Sequence, residues 1–184
     1  MAIETLQTWK DELENLPATS DPSWAPNFAA WYADMINGII PVASDLDVSA
    51  GWSFTFQEAI FASNLATLPP TTSAIAGVTG FALAWEIAMV ASLAAVSAGA
   101  FIGVSAPPTL FSAVATTLID PPSILLAKAK ILELVTAPPE ADAQDSLFPE
   151  KFRDATLLLT ITVSGTNSVT PTPAPLSAAS VPLE

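Results

Sequence analysis

Apolar residues recur at spacings of three and four along residues 3–16. Ile3, Leu6, Trp9, Leu13 and Leu16 then share one face, which predicts an amphipathic helix. Residues 23–39 repeat the pattern with Trp24, Phe28, Trp31, Tyr32 and Met35, and Gly38 and Pro41 end it. A third helix is expected over residues 52–66, carrying Trp52, Phe56, Ile60 and Phe61. Residues 73–98 are apolar almost throughout and predict the longest helix. Two shorter ones follow at 109–119 and 123–136. In the second of these, Lys128 and Glu133 alternate with Ile124, Leu125, Ile131 and Leu134.

Proline pairs punctuate these segments at 69–70, 107–108, 121–122 and 138–139. Proline stops the helix before it and fits the first turn of the next. Asp120 reads as an N-cap with Pro121 at the first helical position. Ser105 and Asp21 can play the same part before Pro107 and Pro22. Residues 45–51 read as a polar turn and residues 140–145 as an acidic loop. Pro149 then opens a helix containing Phe152, Ala155, Leu158 and Leu159. Residues 157–163 alternate and are β-branched, so the chain is expected to pass from helix to extended near Thr160. Residues 165–184 are Thr, Pro, Ser and Ala with almost no charge, which reads as an extended arm. The fold class is therefore mainly α: an Ala-rich domain of five to seven helices over residues 1–164, Pro-Pro joints, and a C-terminal arm over 165–184.

Charge changes the picture. Residues 12–126 contain no Lys and no Arg, and Glu86 is the single ionisable side chain in residues 59–119. Charged residues are 12% of the chain, against about 25% in an average globular protein. That is too few to clothe an ordinary monomer, so part of the apolar surface is expected to face another subunit or lipid. The net charge of −13 argues against direct nucleic-acid binding, which needs Lys and Arg at the phosphates. No basic segment precedes an apolar one at the N-terminus, so no secretory signal is expected.

Candidate chemistry is sparse. The chain has no Cys and no His, which removes thiolate chemistry, disulfides and imidazole bases. Asp45 with Asp47, and Asp11 with Glu12 and Glu14, are paired carboxylates. Neither group has the Gly-framed spacing of a cation loop, and both read as solvated surface. Ser nucleophiles need a base, and no Ser-x-x-Lys is present. No catalysis, cofactor or metal is expected. Trp9, Trp24, Trp31 and Trp52 sit at helical spacings and read as core.

Residues 72–106 raise the membrane question, because about 18 apolar residues suffice to span a bilayer. Glu86 lies mid-run and would cost about 2.5–3.5 kcal/mol at a bilayer centre. No Lys or Arg flanks the run. A buried or interfacial helix is the better reading, and a membrane span is the alternative. Residues 99–103, Gly-Ala-Phe-Ile-Gly, fit the small-xxx-small pattern of close helix contact. Glu86, Gly99 and Gly103 are thus the candidate subunit-packing residues. Glu86 needs a partner from Lys128, Lys130, Lys151 or Arg153, from Ser/Thr or backbone groups, or from another subunit.

Three segments carry a resemblance: Trp24-Ala-Pro-Asn-Phe-Ala-Ala-Trp-Tyr-Ala, Val104-Ser-Ala-Pro-Pro and Phe152-Arg-Asp-Ala-Thr-Leu-Leu-Leu-Thr. Their texture, with the Pro/Thr-rich end, resembles small accessory structural proteins of tailed bacteriophages and contractile injection machines. The resemblance implies a non-enzymatic virion component of a neck, tail or baseplate, assembled in the host cytoplasm. Its partners would be further copies of itself and other structural subunits.

Overall fold

The computed structural model describes residues 5–17, 21–39, 54–69, 73–95, 100–105, 109–114, 121–136, 141–167 and 174–182. The fold is mainly α. Its helices are α1 (Leu6–Leu13), α2 (Trp24–Ile36), α3 (Glu58–Ala66), α4 (Ala74–Ala95), α5 (Pro121–Leu132) and α6 (Ala141–Leu157), with a 3-10 turn at Glu133–Thr136. Among the described residues, four strands complete it: β1 (Ala100–Ser105), β2 (Thr109–Val114), β3 (Thr160–Asn167) and β4 (Ala174–Pro182). They form one antiparallel meander in the order β1-β2-β3-β4.

Helices are present in the segments expected at 3–16, 23–39, 73–98 and 123–136, with α5 starting at Pro121 as its sequence implies, and α3 covers only the second part of the segment expected at 52–66. The change from helix to extended chain also falls where expected, between the end of α6 at Leu157 and Thr160. Several expectations need correction. The helix expected at 109–119 is strand β2 over Thr109–Val114. The small-xxx-small segment is not helical either, because Ala100–Ser105 is strand β1. Both segments are short, β-branched or aromatic at Phe101, Ile102, Val104, Thr109 and Phe111, and separated by a proline pair. Such pieces pair more readily as a hairpin than they propagate a helix. Ser105 consequently caps no helix. The acidic segment expected as a loop lies in α6, which starts at Ala141 and holds Pro149 in its interior rather than in its first turn. Acidic residues such as Asp142 favour a helix N-terminus through the helix dipole.

The last correction concerns Asp21. α2 begins at Trp24 with Ser23 in the cap position, and Asp21 lies in the turn before it. The Ser23 N–H and hydroxyl donate to Asp21 Oδ1 at 2.8 and 2.7 Å. These bonds hold the Asp21 carboxyl below its ordinary value. Asp45, Asp47, Trp52, Asp120 and Gly99 lie outside the described residues. The boundary expected at 164/165 falls inside β3.

An aromatic cluster holds the helices together. The Phe28 ring lies 5.0–5.9 Å from those of Trp24, Trp31, Phe61, Phe81, Phe148 and Phe152. Most pairs in the cluster meet edge to face, the favoured geometry for ring quadrupoles. Trp9 from α1 closes one side against Trp31 and Tyr32. Trp9, Trp31 and Trp85 are buried and Trp24 is half-buried.

Backbone closures explain how the segments return to this core. Gly38 adopts φ 84° after α2, a conformation that favours glycine. Its N–H donates to the Phe54 carbonyl, and the Phe56 N–H donates to Asn37 Oδ1 at 2.8 Å. The chain leaving α2 and the chain entering α3 are thereby clasped together. At the start of α3, the Gln57 N–H donates to Ser92 Oγ of α4 at 2.7 Å, and the Ser92 hydroxyl donates to the Ala88 carbonyl. The beginnings of α5 and β3 are joined the same way: the Thr160 N–H donates to Ser123 Oγ at 3.2 Å.

Candidate interaction surface

Apart from Thr79, Glu86 and Ser92, helix α4 is built of apolar residues and glycine on every side, so which side it buries is decided by size. Its inner side presents Ala82, Ala84, Trp85, Ala88, Met89, Ser92 and Leu93, all buried. Three of these are alanines, and small residues let helices approach closely. The outer side carries Ile75, Leu83, Ile87 and Val90, exposed by 63, 48, 41 and 38%. Ala76, Thr79 and Ala94 are exposed as well. Residues 76, 79, 83, 87, 90 and 94 recur at intervals of three and four, so they form one stripe along the helix.

Two contacts flank that stripe. On one side Lys128 Nζ donates to Glu86 Oε2 at 2.6 Å, and both side chains are 24% exposed. This ion pair ties α4 to α5. Near the start of α4, Gly80 lies against Leu68, and a Cβ at this glycine would meet Leu68 Cδ2 at 2.8 Å. A close approach of the α3–α4 connection therefore uses the missing side chain.

Helix α5 also exposes apolar residues. Leu125 and Leu126 are 60 and 61% exposed, and Pro122 and Ala129 are exposed beside them. Lys128, which pairs with Glu86, is one helical turn from Leu125. A second ionic group lies further along. Glu133 accepts from Lys130 at 2.9 Å and from Lys151 at 2.9 Å. Those bonds, Lys151 first, lower the Glu133 carboxyl and raise the Lys151 ammonium.

The candidate residues of the sequence are not brought together as one site. Glu86 lies at the rim of the α4 stripe and has found one of its expected partners, Lys128. Gly103 lies in β1, in register with Phe111 of β2. Asp11, Glu12 and Glu14 are exposed on and just after α1, and Asp11 accepts from Gln7 at 2.6 Å. Among the described residues, no three His, Cys, Asp or Glu side chains are grouped to hold a metal ion. The periodicity of α4 missed Leu83, Ile87 and Val90 as surface residues. The signal that could have found them is the contrast of large residues at 83, 87 and 90 with alanines at 82, 84 and 88.

What this face can do is physical. It can exclude water against a second apolar surface, and its one ion pair is already neutral. No protein-family model, no curated protein and no solved structure matches the chain.

Proposed function

We propose that this protein is a non-enzymatic structural subunit of a multi-protein assembly, and that it docks through the outer faces of α4 and α5. The virion neck, tail or baseplate is the setting that its sequence texture favours. The observation that carries the docking role is the inverted packing of α4, which buries Ala82, Ala84 and Ala88 while Leu83, Ile87 and Val90 stay in contact with water. Each large aliphatic side chain removed from water contributes about 1.5–3 kcal/mol. A contiguous stripe of them marks an interaction surface rather than scattered exposure. The chain's low charge content supports the same reading, since neighbours would cover what charges do not.

A second reading has its own observation. Ile75–Ala95 is long and apolar enough to cross a membrane by length and composition. A span would have to withdraw Trp85, Met89 and Leu93 from the aromatic core and break the Trp85–Tyr32 hydrogen bond. The subunit reading requires none of this. Fractionation separates the two. Soluble expression without detergent, at a mass above the monomer or in co-purifying particles, supports the subunit. Extraction only by detergent supports the span and overturns the subunit.

A further inference from the structure

Resting on that subunit reading, we infer that the occupant of the α4 face is a second copy of the same chain, with its α4 antiparallel to the first about a twofold axis. The stripe reads almost the same from either end. Its positions 76, 79, 83, 87, 90 and 94 are centred on residue 85. Reversing the helix about that point places Ala76 opposite Ala94, Thr79 beside Val90, and Leu83 opposite Ile87. Leu83 and Ile87 meet at the middle, and at each end exposed Ile75 lies level with exposed Ala95 beside the Ala76–Ala94 pair. A surface that complements itself on reversal is what an isologous twofold contact requires. The intervals of three and four are also those of a helix–helix seam.

Charge permits that partner only at a face without net charge. A chain of net charge −13 repels its own copies over most of its surface. The α4 face carries one carboxylate at its rim, and Lys128 neutralises it. With the axis near residue 85, the two Glu86 side chains approach the centre of the contact. Each arrives with its own Lys128, so the like charges do not oppose each other. The ion pair is thus part of what makes self-contact permissible.

The absence of cysteine in the chain makes the geometry directly measurable. With a helical rise of about 1.5 Å per residue, Ala76 of one copy lies about 27 Å along the axis from Ala76 of the other, but level with Ala94. Single variants Ala76→Cys and Ala94→Cys are purified separately, oxidised alone, and then oxidised as a mixture. The expected result is a disulfide dimer in the mixture, with yield at least tenfold above either variant alone. Sedimentation of the native chain should show a dimer that Ile87→Glu and Leu83→Ser convert to monomer, with the helical circular dichroism of both variants unchanged.

Disulfide dimers of Ala76→Cys with itself would overturn the antiparallel arrangement. A native chain that is monomeric at all concentrations would overturn self-pairing. If that monomer still incorporates into particles with other subunits, the subunit reading stands and this inference alone fails. If it instead binds neutral phosphatidylcholine vesicles through the stripe, lipid is the occupant and both readings fail.

Discussion

Trp85 Nε1 donates to Tyr32 Oη at 2.7 Å, with both side chains fully buried. The chain of bonds continues in one direction. Tyr32 Oη lies 2.8 Å from Thr156 Oγ1, and the Thr156 hydroxyl donates to the Phe152 carbonyl at 2.9 Å. Since Thr156 spends its one proton on Phe152, Tyr32 must donate to Thr156. The relay runs from α4 through α2 to α6 and pairs the Trp85 N–H and the Tyr32 and Thr156 hydroxyls, and such networks hold a unique arrangement of elements. It also fixes the rotation of α4. With Trp85 anchored inward, Leu83, Ile87 and Val90 are turned outward.

The relay gives Tyr32 an alkaline signature. Burial raises its phenol well above the usual tyrosine range, and the bonds to Thr156 and Trp85 only partly oppose this. The folded value exceeds the unfolded value of about 10. Stability is therefore fully present below pH ~10 and falls as pH rises beyond it, because the unfolded chain releases a proton that the folded chain keeps. Tyr32 is the chain's single tyrosine, so tyrosinate absorbance reads it alone. The expected outcome is no ionisation until the helical signal is lost, with both changes at the same pH. Ionisation near pH 10 in folded protein would show that Tyr32 is not sealed in the core.

Two buried tryptophans should respond differently to the same substitution. The Trp85 N–H is bonded to Tyr32, whereas Trp31 Nε1 is buried with no hydrogen-bond partner. Trp31 meets Trp9 edge to face at 5.5 Å, which offers at most a weak ring contact. Trp85→Phe leaves the Tyr32 oxygen without its donor, while Trp31→Phe removes an unsatisfied donor. Both lose a similar volume. Trp85→Phe should therefore be the more destabilising by about 1–3 kcal/mol, the size of an unsatisfied buried polar group. Denaturant midpoints of the two variants measure it, and equal losses would contradict the relay.

Acid should act through Glu133. Its carboxyl is held below the ordinary 4.5 by Lys151 and then Lys130. A lowered carboxylate contributes stability above its unfolded value, and this is lost as pH falls through the folded one. Glu133→Gln should therefore flatten the loss of stability below pH 4.5. Its side chain is 46% exposed, so solvent screening limits the effect to below about 1 kcal/mol. Thermal melts of native chain and variant between neutral and acidic pH, at low and high salt, check both sign and size.

The sequence announced its helices unevenly, for reasons visible in particular residues. α2 has aromatic residues on one face and Asp34 exposed on the other, so its period carries a phase. α4 has apolar residues on every side. Periodicity there gave a helix but no inner face, and the anchoring of Trp85 by Tyr32 and Thr156 across long sequence separations decided it. The need of Glu86 for a distant cation was legible because no basic residue lies nearby, although only the packing of α5 on α4 chose Lys128. The strands β1 and β2 were missed because short apolar runs between prolines suit either state until they pair.

The last prediction separates folding from assembly at Glu86. Exposed or half-exposed ion pairs contribute about 0.2–1 kcal/mol, and both partners here are 24% exposed. Glu86→Gln keeps an acceptor for Lys128 and should shift the melting temperature of the subunit by less than about 4 °C. Assembly is another matter. In the twofold pair each copy would carry an uncompensated Lys128 near the axis, and two like charges would face each other across an apolar contact. Glu86→Gln and Glu86→Leu should both weaken dimerisation more than they weaken folding. The leucine variant should suffer more, because Lys128 loses its hydrogen bond as well. Added salt should restore part of the Glu86→Gln dimer by screening, and the exchanged pair Glu86→Lys with Lys128→Glu should restore most of it. Sedimentation and melting curves on the same samples decide the matter. A dimer untouched by Glu86→Leu would place the contact elsewhere on the molecule.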